Sequence, residues 1–288
     1  MKKIGLVLCG GGAKGAYQVG VIRVLEEFGL LPYIQSVAGS SIGGVNGALF
    51  LQYTPEEMEN FWLNCPWSTV FSVSKEKMNR MNQIVDSVNY RKIPSFIGMM
   101  NLAGVANQVG LPLKRKGFEK VFRSCLNPTA IQEDHRDLYI SCKEARSPRR
   151  RFFKLNDLTY HQMKSVLLAT TAVPGLYEPV LIDNISYVDP MKSELAPLRP
   201  LLSTDCETII VVYLNPRARI GRPFIEGKRI IEIFPSKELG NGVYGSFDFR
   251  PDVLKYYMDL GSEDAYRILY RILRETPQSP HRVRVKNK

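Results

Sequence analysis

The chain has 288 residues, of which 44% are hydrophobic and 23% are charged, and its formal net charge is +11. This length and composition are typical of a globular protein with a sizeable core, and no segment is long and apolar enough for a transmembrane helix. The basic excess favours an anionic partner, either nucleic acid or an anionic membrane surface. Because no zinc spacing, helix-turn-helix pattern or aromatic RNA-binding motif accompanies the charge, we expect no nucleic acid and favour the membrane.

Cysteine usage and the start of the chain bear on location. The five cysteines are odd in number, widely spaced and without a Cys-x-x-Cys pair. Disulfides and metal ligands are therefore poor interpretations, and a reducing compartment is favoured. Met1 to Cys9 resembles a lipoprotein signal, but its apolar stretch is too short and Leu8 stands where a small residue is needed. We expect a cytoplasmic protein, with peripheral attachment to a membrane as a further option.

The first predicted strand leads into a glycine-rich loop. Lys3 to Leu8 is rich in β-branched residues and leucine, and Gly10-Gly11-Gly12-Ala13-Lys14-Gly15 follows it. A helix is predicted next, ending at Gly29. Successive glycines allow backbone N–H groups to point at an anion, and the N-terminus of the helix assists them.

Three functions compete for this loop. A Walker phosphate loop fails, because Ala16 follows Gly15 where lysine and then serine or threonine are required. The G-x-G-x-x-G spacing fits a dinucleotide site, but the acidic residue expected after the second strand is missing. The third function is an oxyanion hole, in which glycine N–H groups stabilise the tetrahedral intermediate of acyl transfer.

The next motif, Gly39-Ser40-Ser41-Ile42-Gly43, has the G-x-S-x-G spacing of a nucleophile elbow. The apolar run from Ile34 to Ala38 predicts a buried strand before it. A sharp turn into a helix would project Ser41 outward, and a Cβ at Gly39 or Gly43 would collide with neighbouring backbone. An ordinary glycine-serine turn also fits these five residues. Together with the glycine loop, however, the motif favours the oxyanion hole over the other two functions.

The middle of the chain contains a candidate membrane segment. Ile93 to Leu113 carries no charge and lies between Arg91-Lys92 and Lys114-Arg115-Lys116. Its glycine, asparagine and proline residues argue against a spanning helix. Residues 91–116 are therefore interpreted as a lid or an interfacial insertion, with a buried insertion as the alternative.

The other elements follow from periodicity and turn residues. Trp62 and Trp67 are assigned to core or lid packing, and the basic run Arg146 to Arg151 to a solvated hairpin or loop. The tail, 280–288, is basic and expected to be frayed. Predicted helices begin at Thr54-Pro55, include Phe118 to Cys125 and run from Pro251 to Glu275; predicted strands are Leu138 to Cys142, one beginning at Phe152, a hairpin from Leu181 to Val188, Ile209 to Leu214, and Arg229 to Phe234.

The order of strand, Gly-Gly-Gly-x-Lys-Gly, helix, strand and Gly-x-Ser-x-Gly resembles that of the patatin-like phospholipases. Leu168 to Val180 resembles the family's block of small residues with Pro-Gly and an aromatic, and Tyr187-Val188-Asp189 resembles its aspartate-bearing strand end. Ile233 to Ser236 and Leu260 to Ala265 also match family features. The resemblance spans nearly the whole chain. It implies an α/β fold of three layers, α/β/α, with a central mostly parallel sheet, as a single domain over 1–288.

The resemblance also implies a chemistry, namely the hydrolysis of acyl esters in phospholipids or other lipids. Ser41 would attack the ester carbonyl, while Asp189 would take the hydroxyl proton and later activate water. No metal or cofactor is implied. The residues of the implied oxyanion hole are Gly10, Gly11, Gly12 and Ala13.

A histidine base is the alternative to a direct Ser–Asp dyad. His135 lies in a polar stretch, His161 near a predicted helix start and His281 in the basic tail. The order Ser41, Asp189, His281 is formally that of an α/β-hydrolase triad. It would require the tail to reach the site, so we favour the dyad.

One position departs from the family pattern. Pro190 follows Asp189 where the family has glycine, and Met191-Lys192 replace small or apolar residues. Proline removes a backbone donor and favours extended backbone at the residue before it. Beside the hydrolase, three alternatives stay open: a catalytically impaired lipid-binding or regulatory protein, an acyltransferase, and a nucleotide-binding module that rests on the glycine loop alone.

Overall fold

A nine-stranded sheet organises the protein. The structure is a computed structural model and describes residues 3–70, 115–191, 196–240 and 244–275. The strands are β1 (Ile4–Leu8), β2 (Ile34–Ser40), β3 (Asp137–Glu144), β4 (Arg150–Lys154), β5 (Val180–Ile182), β6 (Ile185–Val188), β7 (Thr208–Val212), β8 (Phe224–Ile225) and β9 (Lys228–Ile233). The strands are hydrogen-bonded to one another in the order β5-β6-β3-β2-β1-β7-β9-β8, and β4 also pairs with β3.

The described helices lie on both faces of this sheet. They are α1 (Ala16–Glu27), α2 (Ile42–Phe50), α3 (Pro55–Asn64), α4 (Trp67–Val70), α5 (Lys116–Cys125), α6 (Pro128–Glu133), α7 (Tyr160–Thr170), α8 (Arg199–Leu202) and α9 (Pro251–Glu275). Thr54 and Thr159 cap α3 and α7 in reciprocal capping boxes with Glu57 and Gln162. None of the described helices is long and apolar enough to cross a membrane.

The centre of the sheet is parallel and its margins are antiparallel. β3, β2, β1, β7 and β9 run parallel to one another, whereas β4, β5, β6 and β8 pair antiparallel with their neighbours. Strand β1 is buried along its whole length, as expected for a parallel strand covered on both faces. Because the carboxyl ends of parallel strands lie on the same side of a sheet, the loops that follow β1 and β2 lie next to each other. The predicted α/β fold with a central mostly parallel sheet is confirmed.

Strand β6 continues the line of β2. Lys143 of β3 pairs with β4 on one edge and with Val188 of β6 on the other. Ser141 of β3 pairs with β4 on the first edge and with Ser40 of β2 on the other. Since β4 occupies one edge of β3 at both positions, β2 and β6 share the other edge of β3. Strand β6 lies just beyond the carboxyl end of β2 along that edge. The ends of β2 and β6 therefore face each other.

The main core lies between the sheet and α1, α2, α3, α7 and α9, and both tryptophans belong to it, as predicted. A smaller cluster on the opposite face includes Val7, Ala38 and Leu201 of α8. Helices α1 and α9 touch through glycines: a Cβ on Gly20 would lie 1.9 Å from the Met258 carbonyl oxygen. This contact fixes how α1, which begins after the glycine loop, lies against the long C-terminal helix.

The predicted lid or interfacial segment, 91–116, lies outside the described residues except for Arg115 and Lys116. The basic tail, 280–288, also lies outside them. Arg115 was grouped with the basic flank of the segment, but its side chain has an internal role. It donates to the Leu168 carbonyl at 2.9 Å and to the Glu178 carbonyl, and its guanidinium lies 5.5 Å from the centre of the Tyr177 ring. This arginine is therefore not a free basic group of a membrane-facing rim.

Candidate active site

A sharp turn between β2 and α2 presents Ser41. Its backbone has φ 53° and ψ −129°, a left-handed conformation that is uncommon for a residue with a side chain. A Cβ on Gly39 would lie 2.4 Å from the Gly43 carbonyl oxygen, and one on Gly43 would lie 2.1 Å from the Leu8 carbonyl oxygen. Both flanking positions therefore require glycine. Ser40 is buried at the end of the strand, whereas Ser41 is partly exposed.

Thr170 holds this turn in place from the end of α7. The Ser41 N–H donates to the Thr170 hydroxyl at 2.8 Å, and that hydroxyl donates to the Ser141 carbonyl at 2.7 Å. One buried side chain thus links α7, β3 and the strained residue. Thr170 lies in the block of small residues noted in the sequence, but no sequence signal assigned it this role.

Asp189 reaches Ser41 from β6. Its N–H donates to the Ala172 carbonyl at 3.0 Å, and its side chain is only 4% exposed. Burial raises the pKa of Asp189 to about 6, while hydrogen bonds from the Ser41 side chain and the Met191 N–H act to lower it. The structure thus brings together the two residues that the sequence analysis paired. A carboxyl group with this pKa can exchange a proton near neutral pH.

The departure at Pro190 has a local compensation. Pro190 has no N–H, but the N–H of the next residue, Met191, donates to Asp189 Oδ1 at 2.6 Å. Met191 has φ 50°, so the chain turns back toward the carboxylate immediately after the proline. One carboxylate oxygen is therefore held by the backbone.

Cys142 lies close to the pair. Burial, with a smaller contribution from the charge of Asp189, raises the pKa of its thiol well above the usual value. The thiol stays protonated at neutral pH and is a poor nucleophile there.

The glycine loop lies beside Ser41. A Cβ on Gly10 would be 3.0 Å from the Ser41 Cβ, so the loop and the turn are in close contact. Gly12 has φ 61°, and a Cβ there would lie 2.1 Å from the Ser246 carbonyl oxygen. Gly11 and Ala13 lie on either side of Gly12, at the start of a 3-10 turn that continues into α1. The loop's backbone therefore lies next to Ser41.

A buried amide network links both ends of the loop to α2. The Gln18 side chain donates to the Cys9 carbonyl at 2.8 Å, and the Asn46 side chain donates to the Gly15 carbonyl at 2.9 Å. Asn46 also donates to Gln18 Oε1 at 2.8 Å and accepts from the Trp62 indole N–H at 2.9 Å. Gln18 and Asn46 are fully buried. A polar residue inside the glycine- and alanine-rich α2 was the sequence signal for this network, and the sequence analysis did not use it.

Histidines do not contact the pair within the described residues. His135 is exposed and lies 3.7 Å from Asp134. His161 is exposed near the start of α7, which Thr159 caps. His281, the base of the alternative triad, lies outside the described residues.

A comparison with known families matches the Patatin-like phospholipase family over residues 6–189. Among curated proteins, the chain is 55% identical over 49 residues to "Lysophospholipase nte1" of Aspergillus terreus. It is 49% identical over 55 residues to "Patatin-like phospholipase domain-containing protein ZK370.4" of Caenorhabditis elegans. These matches cover 17% and 19% of the chain but only 3% and 4% of the relatives.

Among solved structures, the crystal structure of VipD from Legionella pneumophila has a similar fold. The TM-score is 0.56 at 14% sequence identity, with 94% of this chain and 67% of that chain covered. This likeness concerns the fold alone. The family match includes the glycine loop, the Ser41 turn and Asp189, and it extends over more than half of the sequence. The chain belongs to the patatin-like phospholipase family.

Proposed function

We propose that the protein is a serine lipid acyl hydrolase of the phospholipase A or lysophospholipase type. The observation that carries the proposal is the pairing of a buried carboxyl, Asp189, with the side chain of Ser41 on a strained turn. Family membership supports lipid esters as substrates. The strained backbone of Ser41 also supports the proposal. Such strain persists only where surrounding contacts hold it, and it is concentrated at functional sites.

The proposed reaction has two halves. Ser41 Oγ attacks the ester carbonyl while its proton passes to the Asp189 carboxylate, which gives a tetrahedral oxyanion and a neutral acid. Collapse breaks the ester bond, the acid returns the proton to the departing alcohol, and an acyl-serine remains. Water then repeats the sequence with Asp189 as base and releases the fatty acid. Backbone N–H groups of the loop from Gly10 to Ala13 would stabilise both oxyanions.

Two alternatives use the same site. An acyltransferase would pass the acyl group to an alcohol instead of water, and an impaired protein would bind lipid without turnover. The hydrogen bond from the Met191 N–H supports a competent base, because it orients the Asp189 carboxylate even though Pro190 follows it in place of the family's glycine. No observation among the described residues favours acyl transfer over hydrolysis. The hydrolase is therefore the proposal, and transfer to added alcohol is an outcome to measure.

An anionic membrane surface is the proposed location of the substrate, and the proposed location of the protein is the cytoplasm with peripheral attachment to that surface. The net charge of +11 supports the proposal, since each basic residue near an anionic surface contributes about 1 kcal/mol. The membrane role of the uncharged segment stays a prediction. Nucleic acid is not a proposed partner.

Labelling with a fluorophosphonate probe tests the proposal directly. The expected result is one adduct on Ser41, located by mass spectrometry, together with release of fatty acid from a lysophospholipid. Ser41→Ala should abolish both. An adduct on another residue, or an unlabelled Ser41 in folded protein, would contradict the assignment. Labelling without turnover would identify an impaired protein, and acyl esters of an added alcohol would identify an acyltransferase.

A further inference from the structure

A groove of about 750 Å³ lies away from Ser41, between the β3–β4 hairpin, α8 and the β8 end of the sheet. Neither Ser41 nor Asp189 lines it. We call it the arginine groove, because its lining includes Arg149, Arg150, Arg151 and Arg199. The sequence analysis interpreted the first three as part of a solvated turn. The fold instead brings them together with an arginine from a separate helix.

The four arginines of the arginine groove differ from other arginines of the protein in their ion pairing. Among the described residues, none of its four arginines forms a salt bridge. By contrast, Arg136, Arg250 and Arg267 each lie within 2.7 Å of an aspartate. Arg151 stacks on Phe153, with 4.8 Å between the guanidinium carbon and the ring centre. Among the described lining residues, Glu144 is the one acidic side chain beside four arginines, so these residues carry a positive excess.

The rest of the lining is largely apolar. It includes Phe152, Leu198, Leu202 and Ile225. Ile185 also lines the groove and is 40% exposed, and Leu181 on the same β5–β6 hairpin is 63% exposed. The groove surface thus combines two chemistries. Exposed apolar side chains lie next to arginines that form no salt bridge among the described residues.

The two chemistries together define the ligand class. A free inorganic anion would leave the apolar lining in water, and a neutral lipid would leave the guanidinium groups without a counter-charge. Guanidinium groups bind phosphate through paired hydrogen bonds, and burial of an alkyl chain adds stabilisation in proportion to area. We propose that the arginine groove binds a phosphate-bearing amphiphile, with the phosphate among the arginines and the chain along the apolar lining. This second site does not depend on the chemistry proposed for Ser41.

The test uses three probes and calorimetry on the Ser41→Ala protein. n-Octyl phosphate has the phosphate and the chain but no carboxylic ester, so it offers nothing for the proposed hydrolase reaction. Inorganic phosphate supplies the head alone and octyl glucoside supplies a neutral chain. We expect n-octyl phosphate to bind at least ~10-fold more tightly than either, because it alone satisfies both chemistries. Equal affinity for inorganic phosphate or for octyl glucoside would overturn the proposal.

A charge-matched pair of variants locates the binding. Arg149→Glu/Arg150→Glu/Arg199→Glu should weaken n-octyl phosphate binding at least ~10-fold, because three cationic hydrogen-bond donors are lost. Lys120→Glu/Arg123→Glu/Arg271→Glu changes the net charge equally at exposed positions outside the groove and should retain binding. Equal losses in the two proteins would show attraction to net charge alone and overturn the site.

Two further measurements keep the outcome clear. Arg150→Gln/Arg199→Gln removes charge with little change of shape and serves if the triple variant does not fold; unchanged affinity in that folded variant would also overturn the site. Placed in the protein with Ser41 intact, the groove substitutions should leave turnover of a soluble short-chain ester unchanged. Loss of groove binding with normal turnover, and loss of turnover with normal groove binding, therefore separate the two proposals.

Discussion

The backbone N–H of Ser41 donates a 2.8 Å hydrogen bond to the hydroxyl of Thr170, 129 positions later in the chain. The same hydroxyl donates to Ser141. Thr170→Val keeps the shape of the side chain but removes the acceptor of the Ser41 N–H and the donor to the Ser141 carbonyl. We expect it to lower the free energy of unfolding by ~1–3 kcal/mol and to reduce kcat, because the strained turn loses its anchor.

Thr170→Ser is the matched control, since it retains the hydroxyl and removes one methyl group. Urea unfolding and ester kinetics should place it much closer to the parent protein than Thr170→Val. If the two variants had equal kcat values, the hydroxyl would have no part in positioning Ser41.

The two adjacent serines give a second prediction. Ser41→Ala should reduce ester hydrolysis at least ~10³-fold, because no other group can form the acyl intermediate. Ser40→Ala should have a much smaller effect, since Ser40 is buried at the end of β2. Turnover of a short-chain ester by the two folded variants measures both. An exchange of these effects would assign the nucleophile to Ser40.

The pH dependence of activity follows from Asp189. Its pKa is raised to about 6, and only the ionised carboxylate can accept the Ser41 proton. We therefore expect kcat/KM for a soluble ester to fall on the acid side with a midpoint near this pKa. Asp189→Asn should be about as inactive as Ser41→Ala, because the pair acts as a unit. Full activity of Asp189→Asn with loss in His281→Ala would support the triad instead.

The same pKa shift predicts that loss of the Asp189 charge increases the free energy of unfolding. The folded state binds the Asp189 proton more tightly than the unfolded chain, whose aspartate has the usual pKa of 3.8. The resulting stability is present below pH 3.8 and is lost as the pH rises through about 6. At about 1.4 kcal/mol per pKa unit, the ionised carboxylate lowers folding stability by up to ~3 kcal/mol.

Asp189→Asn should therefore be more stable than the parent at pH 8, and the difference should shrink toward pH 4. Urea unfolding at several pH values measures this, with Ser41→Ala as a control that retains the carboxyl. An Asp189→Asn protein less stable than the parent at every pH would show that burial does not disfavour the ionised form.

The amide network gives a fifth prediction. Asn46→Leu has a similar volume but leaves the Gly15 carbonyl, Gln18 Oε1 and the Trp62 N–H without their partner. We expect kcat to fall about 10-fold or more with little change in KM for a short ester, because the glycine loop, the proposed oxyanion hole, loses its tie to α2. Asn64→Leu, on the exposed face of α3, is the control. A loss of stability without a change in kcat would restrict Asn46 to a structural role.

Local sequence patterns predicted the elements and the central motifs because their causes are local. Period and turn residues predicted the strands other than β8, together with α9 and the β5–β6 hairpin, where Asp183 and Asn184 adopt the positive φ values that such a turn requires. The glycines at the Ser41 turn were predictable from the G-x-S-x-G spacing, although the contact that requires Gly43 is with Leu8 of β1.

The rest depends on contacts between distant parts of the chain. Thr170, Gln18 and Asn46 look like ordinary polar residues in helices until the fold buries them against backbone groups of other elements. The compensation for Pro190 by Met191 depends on a backbone turn that the residue types do not predict. Arg199 joins the hairpin arginines only after α8 packs on the second face of the sheet.

The alignment of β6 with β2 also bears on when the site can form during synthesis. Ser41 leaves the ribosome early, but β6 pairs with β3, so Asp189 can reach Ser41 only after the chain has extended to residue 189. A nascent chain shorter than this carries Ser41 without its partner carboxylate. The proposed hydrolase chemistry therefore requires that most of the sheet has assembled.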